Sequence, residues 1–571
     1  MSQSVPQKGH PKGLYILFAT EMWERFNYYG MRAILILFMT KALLFSDAFA
    51  SNLYGSYTGL VYLTPLIGGY IADRYWGNKR SIIVGGLVMA IGEFLLFFCG
   101  SLYESAPGLS TMFFFSGLGF MIAGNGFFKP NISSLVGQLY PKNDRRTDAA
   151  YTIFYMGINV GGAIGPFLCG MAGDTGNPAD FKWAFLVAGI GMLISVLVQK
   201  LYQDKYIVSP EGVPLGNPNP NAPKAWSNPV LIVLGCLLFS GVAIGVLYVD
   251  ANVFSFLSYL LIASFLFIVF VLYSDKSLTR IEKQKITVII ITAFFVIFFW
   301  SAFEQAGASL NLFADRQTDR FLGWVVPKYY LYIISAALLG VLGWCWKKAT
   351  TNLALNDKSL LNGVKVLLIV LAGALLYYDI KVGMEPGANI EMNEVPASYF
   401  QSLNSIFVIS FAPLFAWLWL KLGRFEPSAP TKMAIGLFLL ALGYLWIAFG
   451  VKDAGAVKVS MVWLIGMYAL HTWGELCLSP IGLSLVNKLA PLKYASLLMA
   501  VWFLANAAAN KFAGVLSALY PGSGKTTRFL FYEMTNLYDF FILFLGMAGV
   551  ASLILFGITK QLQKMMTQES K

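Results

Sequence analysis

Long apolar stretches recur along the whole chain, separated by short segments that carry most of the charge, and this pattern rules out a soluble fold. Runs long enough to cross the roughly 30 Å of a bilayer's hydrocarbon are read at 14–40, 50–73, 81–103, 110–137, 148–172, 181–201, 229–249, 253–273, 286–311, 329–346, 363–380, 398–420, 433–450, 459–483, 495–519 and 537–559. Composition agrees: 57% of the 571 residues are apolar and 12% charged, against about a quarter charged in soluble domains. Backbone groups inside hydrocarbon must be paired within their own segment, so each run is expected to be a helix. The expected fold is an all-α polytopic membrane protein with sixteen spans and the lipid bilayer as its solvent.

The net charge of +12 does not imply a nucleic-acid partner, because the basic residues lie in short loops between apolar runs and form no single basic face. With sixteen spans the more basic loops fall on the side of both termini, which are therefore expected in the cytoplasm. Adding or dropping one span would put Arg280, Lys283, Lys285, Lys347 and Lys348 outside. The first apolar stretch is too long and too charged for a cleaved signal peptide and is expected to stay as a membrane helix. Cys99, Cys169, Cys236, Cys345 and Cys477 all lie in apolar runs without C-x-x-C spacing, so neither a disulfide framework nor a metal site is expected.

Sixteen spans resolve as two bundles of six plus two inserted hairpins. Residues 1–201 are expected to form the first bundle and 202–228, with its PEGVPLGNPNPNAPK run, a cytoplasmic linker too rich in Pro, Gly and Asn for a helix. Residues 229–285 are then an inserted hairpin with its connector, and 286–328 the first helix of the second bundle with an external loop. Residues 329–397 are a second inserted hairpin with an external loop, and 398–571 the remainder of the second bundle.

The chemistry concentrates on the first span. In E-M-W-E-R-F-N-Y-Y-G-M-R, residues Glu21, Glu24, Arg25, Tyr28, Tyr29 and Arg32 fall within roughly 140° of one helix face. Each charge at mid-bilayer costs on the order of 2.5–3.5 kcal/mol, so four require partners or a wet cavity. Glu21 and Arg25 can pair locally, four residues apart, which leaves Glu24 and Arg32 seeking partners on other helices. Besides Arg25 and Arg32, two more cations lie within spans, Lys129 and Lys511. Lys129 aligns with Asn125 and Ser133 and precedes Pro130, which frees a backbone carbonyl. Tyr155 and Asn159 form a stripe with Tyr151 in the fifth span, where Gly157, Gly161, Gly162 and Gly165 suit close helix packing. In the second half, Trp300, Glu304 and Asn311 share a face, as do His471, Glu475 and Ser479. The lone carboxylates Glu304 and Glu475 thus stand opposite two spare cations, Arg32 and Lys129. His471 reads as a packing residue. The G-G-Y-I-A-D-R-Y-W-G-N-K-R stretch has the character of a major facilitator loop, in which Asp73 and its basic neighbours could lock helix ends together. P-G-S-G-K-T-T at 521–527 is no phosphate loop, because Leu519 stands where the first glycine is required.

Glu21-x-x-Glu24-Arg25-Phe26-x-Tyr28-Tyr29-Gly30, FFKPNIS at 127–133, FYMGINVG at 154–161, FWSAFEQ at 299–305, FQSLN at 400–404 and GELCLSPIGLS at 474–484 resemble the proton-dependent oligopeptide transporter family, bacterial type. The resemblance implies a major facilitator fold and proton-coupled import of di- and tripeptides across a bacterial inner membrane. It implies no enzyme activity and no cofactor, with the proton gradient as energy source. It also assigns roles: Glu21, Glu24, Arg25 and Glu304 to proton coupling; Arg25, Arg32 and Lys129 to the peptide carboxylate; Asn159, Asn404 and Glu475 to the amino group. Tyr28, Tyr29, Tyr62, Tyr155, Trp300 and Trp502 would shape side-chain pockets, with Ser479 near them. Arg32 with Glu304 would close the outer gate and Lys129 with Glu475 the inner one. Three departures stand out: the second hairpin, 329–380, is outside the pattern, Gly162 replaces a common Ser, and the second span lacks the histidine of animal relatives. The alternatives are symport of another small zwitterion or anion, and a non-transporting membrane sensor.

Overall fold

A computed structural model describes residues 9–141, 144, 146–218, 228–253, 256–351, 358–384, 386–455, 457–521 and 525–567. The first bundle comprises α1 (Lys12–Lys41), α2 (Asp47–Leu63), α3 (Pro65–Ile71), α4 (Gly77–Leu102), α5 (Pro107–Gln138), α6 (Arg146–Gly173) and α7 (Phe181–Tyr206). An inserted pair follows, α8 (Pro229–Val253) and α9 (Phe256–Ser274). The second bundle opens with α10 (Arg280–Phe303) and the short α11 (Ser309–Arg316). The second inserted pair is α12 (Lys328–Thr351) and α13 (Lys358–Met384). The chain then completes the bundle with α14 (Gln401–Leu422), α15 (Ala429–Val451), α16 (Met461–Leu489), α17 (Ala495–Ser517) and α18 (Leu537–Thr567).

Among the described residues, eleven helical runs are long and apolar enough to cross a membrane, so the expected count of sixteen is not confirmed. Two of the five differences have a visible cause. Helix α1 carries Lys12, Glu21, Glu24, Arg25, Arg32 and Lys41 within 30 residues and is too charged to qualify. The second and third expected spans merge into one helical run of 56 residues, Asp47–Leu102. The stretch expected there as a loop continues α3 through a π-helical turn, Ala72–Trp76, and bends at Gly77, whose φ of 72° favours glycine. Asp73 is exposed in that turn and makes no ion pair among the described residues, whereas Lys79 ties helix ends together. Its Nζ lies 2.7 Å from Asp204 on α7 and 3.3 Å from Asn217. The start of the linker is thus ordered against the first bundle, with the Lys79 amide donating to the Gly216 carbonyl; residues 219–227 of that linker lie outside the described residues.

Small residues set the packing inside each bundle. Gly161 and Gly165 of α6 lie against the backbone of α1 at Met22 and Phe26, so a β-carbon at either position would collide with a carbonyl. Gly85 and Gly124 bring α4 and α5 together in the same way, and Gly436 and Gly474 do so for α15 and α16. The two bundles meet where Gly55 of α2 faces Gly514 of α17 and where Ser402 of α14 donates to the Ala163 carbonyl of α6 at 2.7 Å.

Polar ties between the bundles gather toward the end opposite the chain termini. Lys41 pairs with Asp315 at 2.6 Å, Arg316 grips both oxygens of Asp47 at 2.6 and 2.8 Å, and Asp174 accepts two bonds from Ser398 at 3.0 Å. Asn311 also donates to the Ala33 carbonyl at 2.7 Å. At this end, residues 321–327 pair antiparallel with 389–394 and so connect the chain on either side of α12 and α13. Cys99, Cys169, Cys236 and Cys477 are free and buried, and the side chain of Cys345 lies outside those described.

Candidate functional site

The site is built around α1, whose middle two turns face the rest of the protein from every side. Glu21, Glu24 and Arg25 are 1%, 0% and 3% exposed. The Arg25 Nε lies 2.9 Å from Glu21 Oε1 and 2.7 Å from Glu24 Oε2, so one guanidinium serves two carboxylates. Asn125 of α5 donates to the other oxygen of Glu24 at 3.3 Å. The absence of a side chain at Gly161 lets α6 pass directly over Arg25. Among the described residues Glu21 Oε2, Glu24 Oε2, Asn125 Oδ1 and Arg25 Nη2 have no hydrogen-bond partner, so the cluster keeps three acceptors and one donor unused.

About two turns further along α1 the second group forms. The Arg32 guanidinium is paired with Glu304 and hydrogen-bonded through Nε to the Tyr54 hydroxyl of α2, all three being buried. The expected Arg32–Glu304 pair is therefore formed, but Tyr54, a neutral residue in an apolar run, was not foreseen. Glu304 reaches Arg32 because α10 ends at Phe303 and continues as a tight turn, Glu304–Gly307, which interrupts the span expected over 286–311 before it resumes as α11. Gly307 lies against Tyr54 and Arg32, where any side chain would displace the pair. The Arg32 guanidinium also sits 5.9 Å from the Tyr29 ring centroid.

The structure does not join Lys129 to Glu475. Lys129 places its ammonium 4.5 Å from the Tyr62 ring centroid and makes no ion pair among the described residues. Glu475 instead accepts from Asn404 of α14 at 2.8 Å, and Asn404 also reaches Thr472 at 3.1 Å. The two groups belong to opposite bundles, in the half that lacks the ties described above.

The remaining residues fall between these groups. Tyr28 stacks edge-on against Tyr29 at 5.3 Å and lies 5.6 Å from Arg25, and its hydroxyl has no hydrogen-bond partner among the described residues. Asn159 is buried and donates to the Tyr155 carbonyl at 3.0 Å, while Tyr155 itself is 37% exposed. Trp300 packs edge-on against Phe299 and Phe303, Ser479 is half-buried one turn beyond Glu475, and Trp502 is buried against Gly482. His471 behaves as a packing residue: its ring lies 4.8 Å from Tyr444 and bonds the Leu440 backbone, not Glu475. Among the described residues no cluster of His, Cys, Asp or Glu could hold a metal ion.

Two helical bundles joined end to end in the chain, with buried charges concentrated where they face one another, define a membrane carrier of the major facilitator kind. The POT family model matches residues 79–343 and 386–528, omitting most of the second inserted hairpin. The chain belongs to the POT family. It is 32% identical to an uncharacterized transporter of Bacillus subtilis, over 97% of this chain and 95% of that one. It is 31% identical to a peptide transporter of Yersinia enterocolitica, over 89% and 88% of the two chains. A di-/tripeptide transporter of Lactococcus lactis is 29% identical over 93% of each. Among solved structures, a peptide transporter POT in complex with alafosfalin superposes with a TM-score of 0.73 at 29% identity, covering 99% of this chain and 98% of that chain.

Proposed function

We propose that the chain is a proton-coupled symporter that imports di- and tripeptides by alternating access, working without a cofactor across a bacterial inner membrane with both termini in the cytoplasm. The observation that carries this reading is the buried cluster in which Arg25 is shared by Glu21 and Glu24. With Lys129 nearby, two carboxylates face two cations, and their formal charges balance. A proton taken by either carboxylate leaves one positive charge over, and that charge favours entry of a peptide carboxylate beside Arg25 and Lys129. Peptide and proton then stabilise the same occupied state, which is the condition for symport.

The peptide amino group is held by Asn159, Asn404 and Glu475, and Tyr28, Tyr29, Tyr62, Tyr155, Trp300, Trp502 and Ser479 border its side chains. Glu304 couples the proton to the gate through Arg32: a neutral Glu304 no longer holds the guanidinium, and the closed end is released. The arrangement corresponds to an inward-facing state, with Arg32–Glu304 shut and Lys129–Glu475 parted. In the organisation that supports this motion, residues 1–201 and 398–571 together with 286–328 are the rocking bundles. Segment 202–228 links them, and 229–285 and 329–397 are inserted. The readings as a carrier of another zwitterion or as a sensor are not favoured, because the relatives that carry a substrate in their names are peptide transporters.

Proteoliposomes given an inwardly directed acid gradient and labelled dialanine test the proposal. Uptake that collapses when a protonophore is added is expected; uptake indifferent to the protonophore, or none at all, refutes it.

A further inference from the structure

Of the four cations within spans, Lys511 takes no part in the charged site. It lies on α17, 2% exposed, and its ammonium is 2.6 Å from Asp250 Oδ2 of α8 and 2.8 Å from Ser56 Oγ of α2. Ser56 donates to the same carboxylate, and the second oxygen of Asp250, 0% exposed, accepts the Leu257 amide at the start of α9 at 2.8 Å. Three polar groups from the first bundle, the second bundle and the inserted hairpin thus satisfy one another inside an apolar region. The junction lies beside the Gly55–Gly514 contact, and Ser51 and Ser517 bond across the same seam at 3.0 Å. That seam belongs to the end where the bundles are tied.

The hairpin is fastened unequally to the two bundles. Helix α8 lies along α5 of the first bundle: Phe239 meets Phe127 with ring centroids 5.3 Å apart, Tyr248 meets Phe115 at 5.5 Å, and Ile244 fills the space above Gly119. Helix α9 faces the second bundle across a cavity of about 390 Å³, bordered by Leu261, Phe265, Ala293, Ile297, Ala508 and Lys511. Helix α8 packs on α5 and also on α2, whereas the hairpin's hold on the second bundle is the smaller contact of α9 with α17 beside this cavity, so a rigid-body rotation carries the hairpin with the first bundle. Opening the closed end must draw Gly55 from Gly514, and with them Asp250 from Lys511.

We propose that Asp250 and Lys511 form a second latch of the closed end, in which the inserted hairpin is a strap of the first bundle that engages α17 and parts from it in every transport cycle. The latch acts in parallel with Arg32–Glu304 and makes the hairpin a working part of the gate. A single loss would leave a buried charge without its partner, whereas the double neutral replacement removes both charges and reports the latch alone. The inference rests on the rocking motion of the preceding section and not on the identity of the cargo.

Two experiments test it. With the native cysteines replaced, Asp250→Cys and Lys511→Cys are bridged by a short bifunctional thiol reagent in proteoliposomes containing the full chain. Bridging should stop peptide uptake and reduction should restore it; full uptake with the bridge formed overturns the proposal. Should the cysteine pair fail to fold, the double variant Asp250→Asn/Lys511→Met is examined with spin labels at Ser105 and Phe531, exposed on opposite bundles at the closed end. The ratio of long to short inter-label distances should rise at least about 10-fold, and an unchanged distance distribution overturns the proposal. Because that distance needs no substrate, a failure of peptide transport would refute the functional reading while leaving this result interpretable.

Discussion

Replacing Glu304 with Gln keeps the shape of the closed end while removing the charge opposite Arg32. Both side chains are less than one-tenth exposed, and removing one partner of such a pair costs about 3–5 kcal/mol when the other charge cannot escape. Here it can escape, because opening the end hydrates the guanidinium, so the cost appears as a displaced conformational equilibrium. The Tyr54 hydroxyl still accepts from Arg32 Nε and retains part of the closed-state stabilisation. A net bias of about 2–3 kcal/mol remains, or roughly 30- to 150-fold in the ratio of outward- to inward-open molecules at about 1.4 kcal/mol per decade. The control is Lys41→Ala: Lys41 is about a third exposed beside Asp315, and such a pair contributes about 0–1 kcal/mol, at most about 5-fold. Spin labels at Ser105 and Phe531 measure both variants. Equal shifts in the two, or no shift for Glu304→Gln, would show that Arg32–Glu304 is not the element that holds the end shut.

Glu21→Gln is expected to abolish gradient-driven uptake while peptide counterflow persists, since exchange needs no net proton movement; loss of both would mark Glu21 as structural. Asn404→Ala removes the donor to Glu475, a charge-assisted bond of about 1.5–3 kcal/mol, and should raise the KM for dialanine by about 10-fold or more; an unchanged KM removes Asn404 from the amino-group site. Gly161→Leu drives a side chain into the Met22 carbonyl and the base of Arg25, with an overpacking cost of about 1–3 kcal/mol; a melting temperature in detergent equal to the parent's would contradict the close α1–α6 contact.

The charged face of α1 was legible because helical spacing alone puts Glu21 one turn before Arg25 and about three turns before Arg32 on the same face, and because charges in an apolar run demand an explanation. The Arg32–Glu304 pair followed from balancing spare cations against lone carboxylates and from family resemblance, although the two residues are far apart in the chain. Tyr54 escaped notice because a neutral hydroxyl in an apolar helix carries no energetic anomaly. Lys511 was visible as an anomaly, but its partner Asp250 sits at the end of an apolar run, where a carboxylate reads as an ordinary span boundary. The junction at 72–76 was misjudged for a related reason: Gly, Asp and Asn there imitate a loop, while the structure keeps the chain helical to Trp76 and turns it at Gly77. Lys129 and Glu475 illustrate a different limit: charge bookkeeping matched them, whereas the structure places Lys129 over Tyr62 and Glu475 on Asn404.

Coupling itself is the central claim, and it is measured most directly by a pH-sensitive dye inside proteoliposomes when unlabelled dialanine is added outside without an imposed gradient. The account predicts that the lumen acidifies only when peptide is present, that acidification follows peptide entry in time, and that Glu21→Gln abolishes it. Peptide accumulation with no movement of protons would contradict it.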